Sequence, residues 1–302
     1  MKKISVILTT YNGQGVIEST VKSILSQEGN GVDFVIELIA VDDCSTDDTY
    51  QLLHQYDCKV LRNPKNSGGP NLGRNQGLKI ATGDYICIAD QDDTWKKDKI
   101  KSILPYIDLA SIITSGYQVI DTNSEKVEQR TQSTSEEHVL YDENETFRRK
   151  LTKTRGGQNT YLGSLVYSSK LKDIHFEEHF GMVDFDWVLR LFHKQTSLEV
   201  CKVLYERQVD STNLSLNETY RKNDFYYSLL TLEDYEEQYP RETGLAYRRL
   251  HGSRARYYYV VGNMKKARRY FLRSQWSTKT ILYYLTSFVG SNYVKKHFNV
   301  FG

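Results

Sequence analysis

Short apolar runs rich in β-branched residues alternate with longer segments of helical periodicity from residue 4 to about residue 117. This alternation is typical of β-α-β units, in which a helix connects two parallel strands of one sheet. The predicted strands cover residues 4–9, 34–41, 59–62, 85–89 and 111–117. The predicted helices cover residues 16–27, 47–55, 71–79 and about 97–104. The pattern therefore predicts an α/β fold with a mixed, mostly parallel central sheet flanked by helices.

The sequence pattern changes twice beyond residue 117. Residues 121–160 are polar and lack clear periodicity, which predicts a mobile excursion, either at the border of an acceptor site or as a solvated loop. A strand is predicted near 164–167 and a helix over about 184–193. After residue 215, Tyr, Arg and Lys recur at helical spacing, with a break at Gly262-Asn263. We therefore predict one domain over residues 1–215 and a helical C-terminal region over 216–302.

Charge and cysteine content exclude several classes of protein. The 302 residues include 40 Lys and Arg against 38 Asp and Glu, and this net charge of +2 gives no sign of a nucleic-acid partner. Four widely spaced cysteines argue against a zinc site or a disulfide framework. No stretch approaches the ~20 apolar residues of a membrane-spanning helix, and the N-terminal run favours a buried strand over a signal peptide. We expect a cytoplasmic protein, soluble or peripheral at the cytoplasmic membrane face.

Polar clusters follow four of the predicted strands. They are Tyr11-Asn12-Gly13, Asp42-Asp43-Cys44-Ser45, Asn66-Ser67-Gly68-Gly69 and Asp90-Gln91-Asp92-Asp93. In an open α/β sheet the carboxyl ends of the strands form the ligand crevice. The four clusters therefore predict one shared site.

Two carboxylates stand two residues apart at Asp90 and Asp92, directly after the apolar run of residues 85–89. Packed negative charge of this kind favours a bound cation, and oxygen ligands suit Mg²⁺ or Mn²⁺. Because Mg²⁺ is usually held by one or two carboxylates together with substrate phosphates, a diphosphate is the natural third partner. The alternative is a solvated acidic turn.

Three further positions have a functional and a structural interpretation. One carboxylate of Asp42 and Asp43 could accept the imide N–H of uracil or thymine, or the pair could cap the next helix. Arg74 lies near a predicted helix N-terminus, where phosphate binds readily, although it could be a surface cation. Asp184 could be a general base, although acidic residues are ordinary in a first helical turn.

Taken together, five sequence blocks resemble glycosyltransferase family 2, a large inverting family with the Rossmann-like GT-A fold. The blocks are residues 4–12, 41–47, 73–77, 83–86 and 90–93. The match is strong to about residue 100, looser to about 215 and weak afterwards. The resemblance implies a metal-dependent hexosyl- or rhamnosyltransferase that uses a UDP- or dTDP-sugar donor and Mn²⁺ or Mg²⁺. The acceptor would be a glycan hydroxyl, on a polysaccharide, a lipid-linked oligosaccharide or a glycoprotein.

The resemblance also implies roles for individual residues. The nucleotide-sugar site would consist of Thr9, Tyr11, Asp42, Asp43, Arg74 and Asp90. Within it, Thr9 and Asp43 would contact the nucleoside and Arg74 the nucleotide. Asp92 would bind the metal, and Asp90 the ribose or the metal. Asp184 matches the position of the family's catalytic base, which would deprotonate the acceptor in a single inverting displacement.

The chain departs from the family pattern at several positions. Thr9 stands where proline is common, Cys44 where glycine is common, and Val183 where a glutamate usually precedes the catalytic base. Residues 207–215 resemble the loop that closes near the diphosphate, but they contain no histidine to bind a metal. The substitution at Val183 makes the base assignment less secure than the metal assignment.

Two other functions compete with this interpretation. The first is a non-catalytic binding or scaffolding module with the same fold. The second is an NAD-dependent oxidoreductase, since Gly13-Gln14-Gly15 follows a strand, but Glu18 occupies the place of the third small residue of that fingerprint. The basic C-terminal region could contact a membrane or mediate homo-oligomer formation, or simply form a solvated face over an aromatic core.

Overall fold

The computed structural model describes residues 1–121, 126–132, 134–154, 156–180, 183–209 and 218–292. It divides into two compact units, Met1–Phe147 with Gly156–Tyr220, and Arg148–Arg155 with Arg221–Gly302. The domain boundary predicted at residue 215 lies outside the described residues. No described helix is long and apolar enough to cross a membrane.

The described residues of the first unit build a ten-stranded mixed sheet. Its strands are β1 (Lys2–Thr10), β2 (Phe34–Asp42), β3 (Lys59–Arg62), β4 (Tyr85–Asp90), β5 (Asp93–Trp95), β6 (Ile112–Asp121), β7 (Lys126–Arg130), β8 (His138–Tyr141), β9 (Val166–Ser168) and β10 (Ser197–Val209). The order is β3-β2-β1-β4-β9-β6-β10-β5, with β7 paired to β6 and β8 to β10. The pairs β1/β2, β1/β4, β2/β3 and β6/β10 are parallel, and the others are antiparallel.

Helices connect and flank these strands. They are α1 (Ile17–Leu25), α2 (Thr49–Leu53), α3 (Asn71–Ile80), α4 (Lys99–Ile103), α5 (Glu145–Leu151), α6 (Phe185–Phe192), α7 (Glu218–Glu233), α8 (Pro240–Val260), α9 (Met264–Phe271) and α10 (Thr278–Thr286). Every strand and helix predicted between residues 4 and 117 is present with ends shifted by a few residues, and so are the later strand and helix. The predicted α/β class with a mixed central sheet is confirmed.

The central strand β1 is buried along its length because helices cover both faces of the parallel part of the sheet. Ile4, Val6, Ile7 and Leu8 are all completely buried. The chain runs from β1 outward to β3 and then returns to β4 on the other side of β1. A ligand crevice forms at such a reversal of strand order, outside the carboxyl ends of β1 and β4.

The structure of residues 121–160 differs from the sequence-based prediction. The sequence predicts a mobile excursion without periodicity, but its described residues contain β7, β8 and all of α5. Within the part of the chain that the structure describes, β7 is an exposed strand that pairs with β6, and β8 pairs with β10. Neither strand shows the apolar alternation of a half-buried strand. The strand β10 also lies where no strand was predicted.

The second unit contains the helices α8, α9 and α10 around a small aromatic core. Its fully buried members include Ala255, Tyr259, Ala267 and Phe271. Gly262, with φ of +84°, ends α8, and the Asn263 side chain accepts a hydrogen bond from the Lys266 N–H at 3.2 Å and so caps α9. The helix break predicted at Gly262-Asn263 is confirmed.

Candidate functional site

The carboxyl ends of β2, β1 and β4 lie side by side and place predicted site residues in one row. Thr10 is opposite Asp42 in the β1/β2 register, and Thr9 is opposite Asp90 in the β1/β4 register. Thr9 is 7% exposed, whereas Tyr11, two residues further along the chain, is 44% exposed. Three predicted site residues, Thr9, Asp42 and Asp90, therefore lie at adjacent strand ends.

Gln91 links the loop after β4 to the loop after β1. The Tyr11 N–H donates to Gln91 Oε1 at 2.8 Å, and Gln91 Nε2 donates back to the Tyr11 carbonyl at 3.2 Å. The Thr20 hydroxyl on α1 donates to the Gln91 carbonyl at 2.7 Å. The middle residue of Asp90-Gln91-Asp92 thus holds the turn from which the two carboxylates project.

Backbone N–H groups of the loop after β1 donate hydrogen bonds to side chains at the start of α2 and just before it. The Gly13 N–H donates to Thr49 Oγ1 at 2.8 Å, and the Gln14 N–H donates to Asp47 Oδ2 at 3.1 Å. A Cβ on Gly13 would lie 2.6 Å from Gln91 Oε1. A dinucleotide site needs these N–H groups for its pyrophosphate, so the geometry opposes the oxidoreductase hypothesis.

Asp42 lies beneath the surface of the crevice. It is completely buried, its Oδ2 accepts the Ser45 N–H at 3.1 Å, and the same oxygen lies 3.2 Å from Arg62 Nε. The carboxylate therefore holds the turn after β2. Neither it nor Asp43 caps α2, because the N-cap residue of that helix is Asp48.

The Asp43 carboxylate also accepts several hydrogen bonds from within the protein. Asn63 Nδ2 donates to its Oδ1 at 2.6 Å, the Ser67 N–H donates to both oxygens at 3.1 and 3.0 Å, and the Ser67 hydroxyl donates to Oδ2 at 2.9 Å. A carboxylate offers about four lone-pair positions. Asp43 therefore orders the glycine turn after β3, and only the exchange of one of these donors would let it bind a base.

Glycines bring α3 against the sheet and set the position of Arg74. A Cβ at Gly73 would lie 3.0 Å from Thr9 Cγ2, and one at Gly77 would lie 2.5 Å from Ile7 Cγ2. A larger residue at either position would push the helix away from β1. The sequence spacing Gly-Arg-x-x-Gly is thus a packing requirement that presents Arg74 to the crevice.

Arg74 pairs with the first carboxylate of the acidic turn. It is 4% exposed, and its Nη2 donates to Asp90 Oδ1 at 2.8 Å while Nη1 donates to Asn71 Oδ1 at 3.2 Å. Its guanidinium lies 5.0 Å from the ring centroid of Phe176, and Nε has no hydrogen-bond partner among the described residues. The alternative interpretation of Arg74 as a surface cation is therefore wrong. The buried Arg74 side chain orients the Asp90 carboxylate.

Asp93 adds a third carboxylate to the turn. It is 3% exposed, and the Tyr205 hydroxyl of β10 donates to its Oδ2. Burial, followed by the nearby Asp90 and Asp92 carboxylates, raises the pKa of Asp93 well above its usual value. Burial and the neighbouring carboxylates thus disfavour a further negative charge on the turn, and a bound cation would relieve the repulsion among these groups.

The donor set for a cation is small. Among the described residues no group of three or more His, Cys, Asp or Glu is arranged to hold a metal ion. Asp93 is turned towards Tyr205, which leaves Asp90 and the partly exposed Asp92 as the acidic side chains of the turn that border the crevice. One or two carboxylates plus substrate phosphates is an ordinary arrangement for Mg²⁺, so these residues fit a divalent cation.

Tyr161 and Arg207 belong to the same region, although the sequence did not nominate them as site residues. The Arg207 guanidinium lies 4.8 Å from the Tyr161 ring centroid. Burial, and then the charges of Asp90 and Asp93, raise the pKa of Tyr161, and Asp184 acts in the same direction. Tyr161 therefore lies among the acidic turn, Arg207 and the predicted base. Tyr161 has no local sequence signal. Arg207 begins the segment 207–215 that resembles the loop near the diphosphate, and the pairing of β10 with β5 places it opposite Asp93.

The structure distinguishes the two acids near the start of α6. Asp186 forms an ion pair with Arg190 at 2.5 Å and is 7% exposed. Asp184 stands in the N-cap position, is partly exposed, and makes no side-chain capping hydrogen bond. Capping is therefore not the role of Asp184. The loop predicted over 207–215 is described only to residue 209.

Comparisons with known proteins identify glycosyltransferases as relatives of this chain. Poly(ribitol-phosphate) beta-N-acetylglucosaminyltransferase TarS of Staphylococcus aureus is 38% identical over 112 residues, 36% of this chain and 19% of TarS. The putative teichuronic acid biosynthesis glycosyltransferase TuaG of Bacillus subtilis is 40% identical over 109 residues, 34% of this chain and 41% of TuaG. The matched segment thus spans less than half of each relative.

Solved structures extend the likeness of fold to nearly the whole chain. Staphylococcus aureus TarS 1–349 superimposes with a TM-score of 0.65 at 19% identity, covering 99% of this chain and 93% of that one. Its complex with UDP-GlcNAc gives a TM-score of 0.68 at 18% identity, covering 98% and 92%. At this identity the superposition shows a shared GT-A fold.

The family assignment rests on the segment that carries the crevice. The model of glycosyl transferase family 2 matches residues 5–172, which include β1, the turn after β2, Arg74 on α3 and the acidic turn after β4. More than half of the chain is covered, and all five resemblance blocks except residue 4 lie inside the match, whereas Asp184 lies outside it. The chain therefore belongs to glycosyl transferase family 2.

Proposed function

We propose that this chain transfers a sugar from a UDP- or dTDP-linked donor to a hydroxyl of a cell-envelope glycan, with inversion at the anomeric carbon. The observation that carries the proposal is the ion pair of Arg74 with Asp90 at the aligned carboxyl ends of β1 and β4. It orients one carboxylate of the acidic turn towards the place where an α/β sheet binds its ligand.

The donor would lie across the ends of β1, β2 and β4. Thr9 and Tyr11 would border the nucleoside, and Asp43 would reach its base by exchanging the Ser67 hydroxyl for the imide N–H. The relatives' names support a UDP-sugar over a dTDP-sugar. A relative in Escherichia coli, 35% identical over 117 residues, is named as a UDP-Glc glucosyltransferase, WfaP.

A divalent cation, Mn²⁺ or Mg²⁺, would be held by Asp92 and Asp90 together with the diphosphate. When bound there it would supply charge stabilisation for the departing nucleoside diphosphate. The chain's own contribution is to keep Asp90 fixed through Arg74 and to place the half-buried ring of Tyr161 near the turn. Arg207 adds a positive charge 4.8 Å from the centroid of that ring.

Asp184 would remove the proton of the acceptor hydroxyl. Its neighbour Asp186 is committed to Arg190, whereas Asp184 is partly exposed and does not cap α6. The attacking oxygen would then approach the anomeric carbon from the side opposite the diphosphate, and the configuration would invert. A positioned general base typically contributes 10²- to 10⁴-fold to a rate.

We further propose that residues 1–215 carry the catalysis and that the helical C-terminal region serves attachment or acceptor binding. Exposed apolar side chains on and after α10 support a surface role, since Leu285, Phe288 and Val289 are each more than half exposed. Peripheral membrane contact and self-association through this surface are both compatible with that exposure.

The donor site is tested by isothermal titration of UDP and dTDP, with and without Mn²⁺. We expect tighter UDP binding with Mn²⁺ in the wild type, and a loss of at least about tenfold in affinity in Asp92→Ala. Asp57→Ala is the matched control, because Asp57 is an exposed acid just before β3, at the opposite edge of the sheet.

Three outcomes decide the proposal. Equal loss of affinity in both variants would show a nonspecific charge effect and remove Asp92 from the site. Failure of a folded wild type to bind either nucleotide would overturn the nucleotide-sugar hypothesis. Binding of nucleotide without transfer or hydrolysis of any UDP-sugar would favour the non-catalytic binding module.

A further inference from the structure

A cleft of about 720 Å³ lies within the second unit and has a strongly positive lining. The basic lining residues are Lys153, Arg221, Arg249, Arg254, Arg256 and Lys279. One acidic residue, Asp224, lines the cleft with them. Because the chain as a whole is nearly neutral, this excess is a local feature that would attract an anion.

Arg254 gives the clearest sign of a ligand. It is 7% exposed, its Nη1 donates to the Arg221 carbonyl at 3.4 Å, and its Nη2 donates to the Tyr258 hydroxyl at 3.1 Å. Its Nε has no hydrogen-bond partner among the described residues, although the residue lines the cleft. A buried N–H without an acceptor is costly, and an anion in the cleft would supply that acceptor once the Arg254 guanidinium turns towards it.

The cleft walls are held in place by contacts within the unit. Arg249 Nη1 donates to the Thr152 carbonyl and to Thr154 Oγ1, both at 2.7 Å, which fixes the segment that contributes Thr154 to the lining. On another side, Ser277 accepts the Thr280 N–H at 3.2 Å and caps the nine-residue helix α10. The positive end of that helix dipole adds to the charge of the lining.

The chemistry of the lining suits phosphate. Four of the six cations are arginines, whose planar fork matches phosphate oxygens in a bidentate manner. The cleft is much larger than one phosphate and has the size of an ordinary ligand site. The rings of Phe225 and Tyr257 in the lining offer apolar surface to the carbon atoms between successive phosphates.

We propose that this cleft binds a phosphodiester-linked stretch of the acceptor polymer, so that the acceptor is an anionic polyol-phosphate or sugar-phosphate chain. This inference rests on the proposed transferase function and specifies its acceptor class. The donor diphosphate is assigned to the first unit, so the basic cleft of the second unit is a separate anion site.

The experiment measures binding of a synthetic poly(glycerol phosphate) oligomer to the full chain by microscale thermophoresis, at low and at high salt. We expect binding by the wild type that weakens with salt, and an affinity at least about tenfold lower in the double variant Arg221→Gln/Lys279→Gln. Both residues are exposed, so folding should survive their loss, and thermal unfolding checks this. The matched control is Lys265→Gln/Arg269→Gln, which removes one exposed lysine and one exposed arginine of α9 outside the cleft.

The outcomes separate this inference from the proposed function. No binding of the oligomer by the wild type, or equal weakening in the two double variants, overturns the cleft assignment. In either case UDP binding by the wild type remains an independent result that tests the donor site alone. Binding of phosphatidylglycerol vesicles in place of the oligomer would assign the cleft to a membrane surface and overturn the acceptor proposal.

Discussion

Replacing Gly77 with alanine tests whether α3 must lie as close to β1 as the structure places it. The new Cβ would lie 2.5 Å from Cγ2 of Ile7, whereas carbon atoms in contact are usually separated by about 3.5–4.0 Å. Ile7 is completely buried, so either its rotamer or the helix must shift by about 1 Å. Overpacking of this kind costs about 1–3 kcal/mol, and alanine regains about 1 kcal/mol in helix propensity. The expected net destabilisation is about 1 kcal/mol.

The control for this change is Gly244→Ala in α8. No atom lies within 4 Å of the position that its Cβ would take, so helix propensity acts alone and should stabilise by about 1 kcal/mol. Urea unfolding of the two variants against the wild type measures both signs. If Gly77→Ala is as stable as the wild type, or is stabilised as much as Gly244→Ala, then α3 does not need glycine at this position to pack on β1.

The same variant has a consequence for the site. Arg74 stands three residues before Gly77 on α3, and its Nη2 holds Asp90 Oδ1 at 2.8 Å. A helix displaced from β1 would lengthen that ion pair. We therefore expect Gly77→Ala to weaken UDP binding, measured by titration at a temperature where the variant is fully folded. Unchanged affinity would show that the ion pair is not sensitive to helix packing.

Three further predictions concern the base, the turn after β2 and the pH dependence of stability. Asp184→Asn should lower kcat by about 10²-fold or more with little change in UDP affinity, whereas Asp186→Asn should mainly lower stability, as steady-state kinetics and thermal unfolding would show. Cys44 has φ of +63°, so Cys44→Gly should raise the free energy of unfolding by about 1 kcal/mol, and a loss of stability in urea unfolding would contradict this. Burial opposes ionisation of Glu37, but hydrogen bonds, the largest from Lys59, lower its pKa overall. Because the folded-state pKa is depressed, its contribution is present above the unfolded value of about 4.3 and is lost as pH falls below it. Glu37→Gln should therefore cost about 2 kcal/mol at pH 7 and progressively less in acid, and a difference independent of pH would exclude this account.

The residues of the acidic turn show how far local sequence reaches. The spacing of Asp90 and Asp92 after an apolar strand is a local signal, and the structure places both at the end of β4, as predicted. The role of Gln91 was not predictable, because its partner Tyr11 lies 80 residues away in sequence. A side-chain amide has no preferred partner until the fold brings one within hydrogen-bond distance.

The pairs of adjacent acids show the same limit. Asp42 and Asp43 are equivalent in sequence, but the first is completely buried under Ser45 and Arg62 while the second orders the turn at Ser67. Whether a carboxylate supports a loop or faces a ligand depends on which donors surround it in three dimensions. Local sequence preferences do not predict those donors.

What the sequence alone determined is the order of the first strands and helices, the family, and the cluster of polar turns at the strand ends. These follow from periodicities of two and 3.6 residues and from short motifs, which are local properties. Tertiary structure alone decided the pairing of β10 with β6 and β5, the arrival of Tyr161 and Arg207 beside the acidic turn, and the basic cleft of the second unit. These features join residues that are distant in sequence, and the free energy that brings them together comes from burial of the whole core and is not encoded in any short segment.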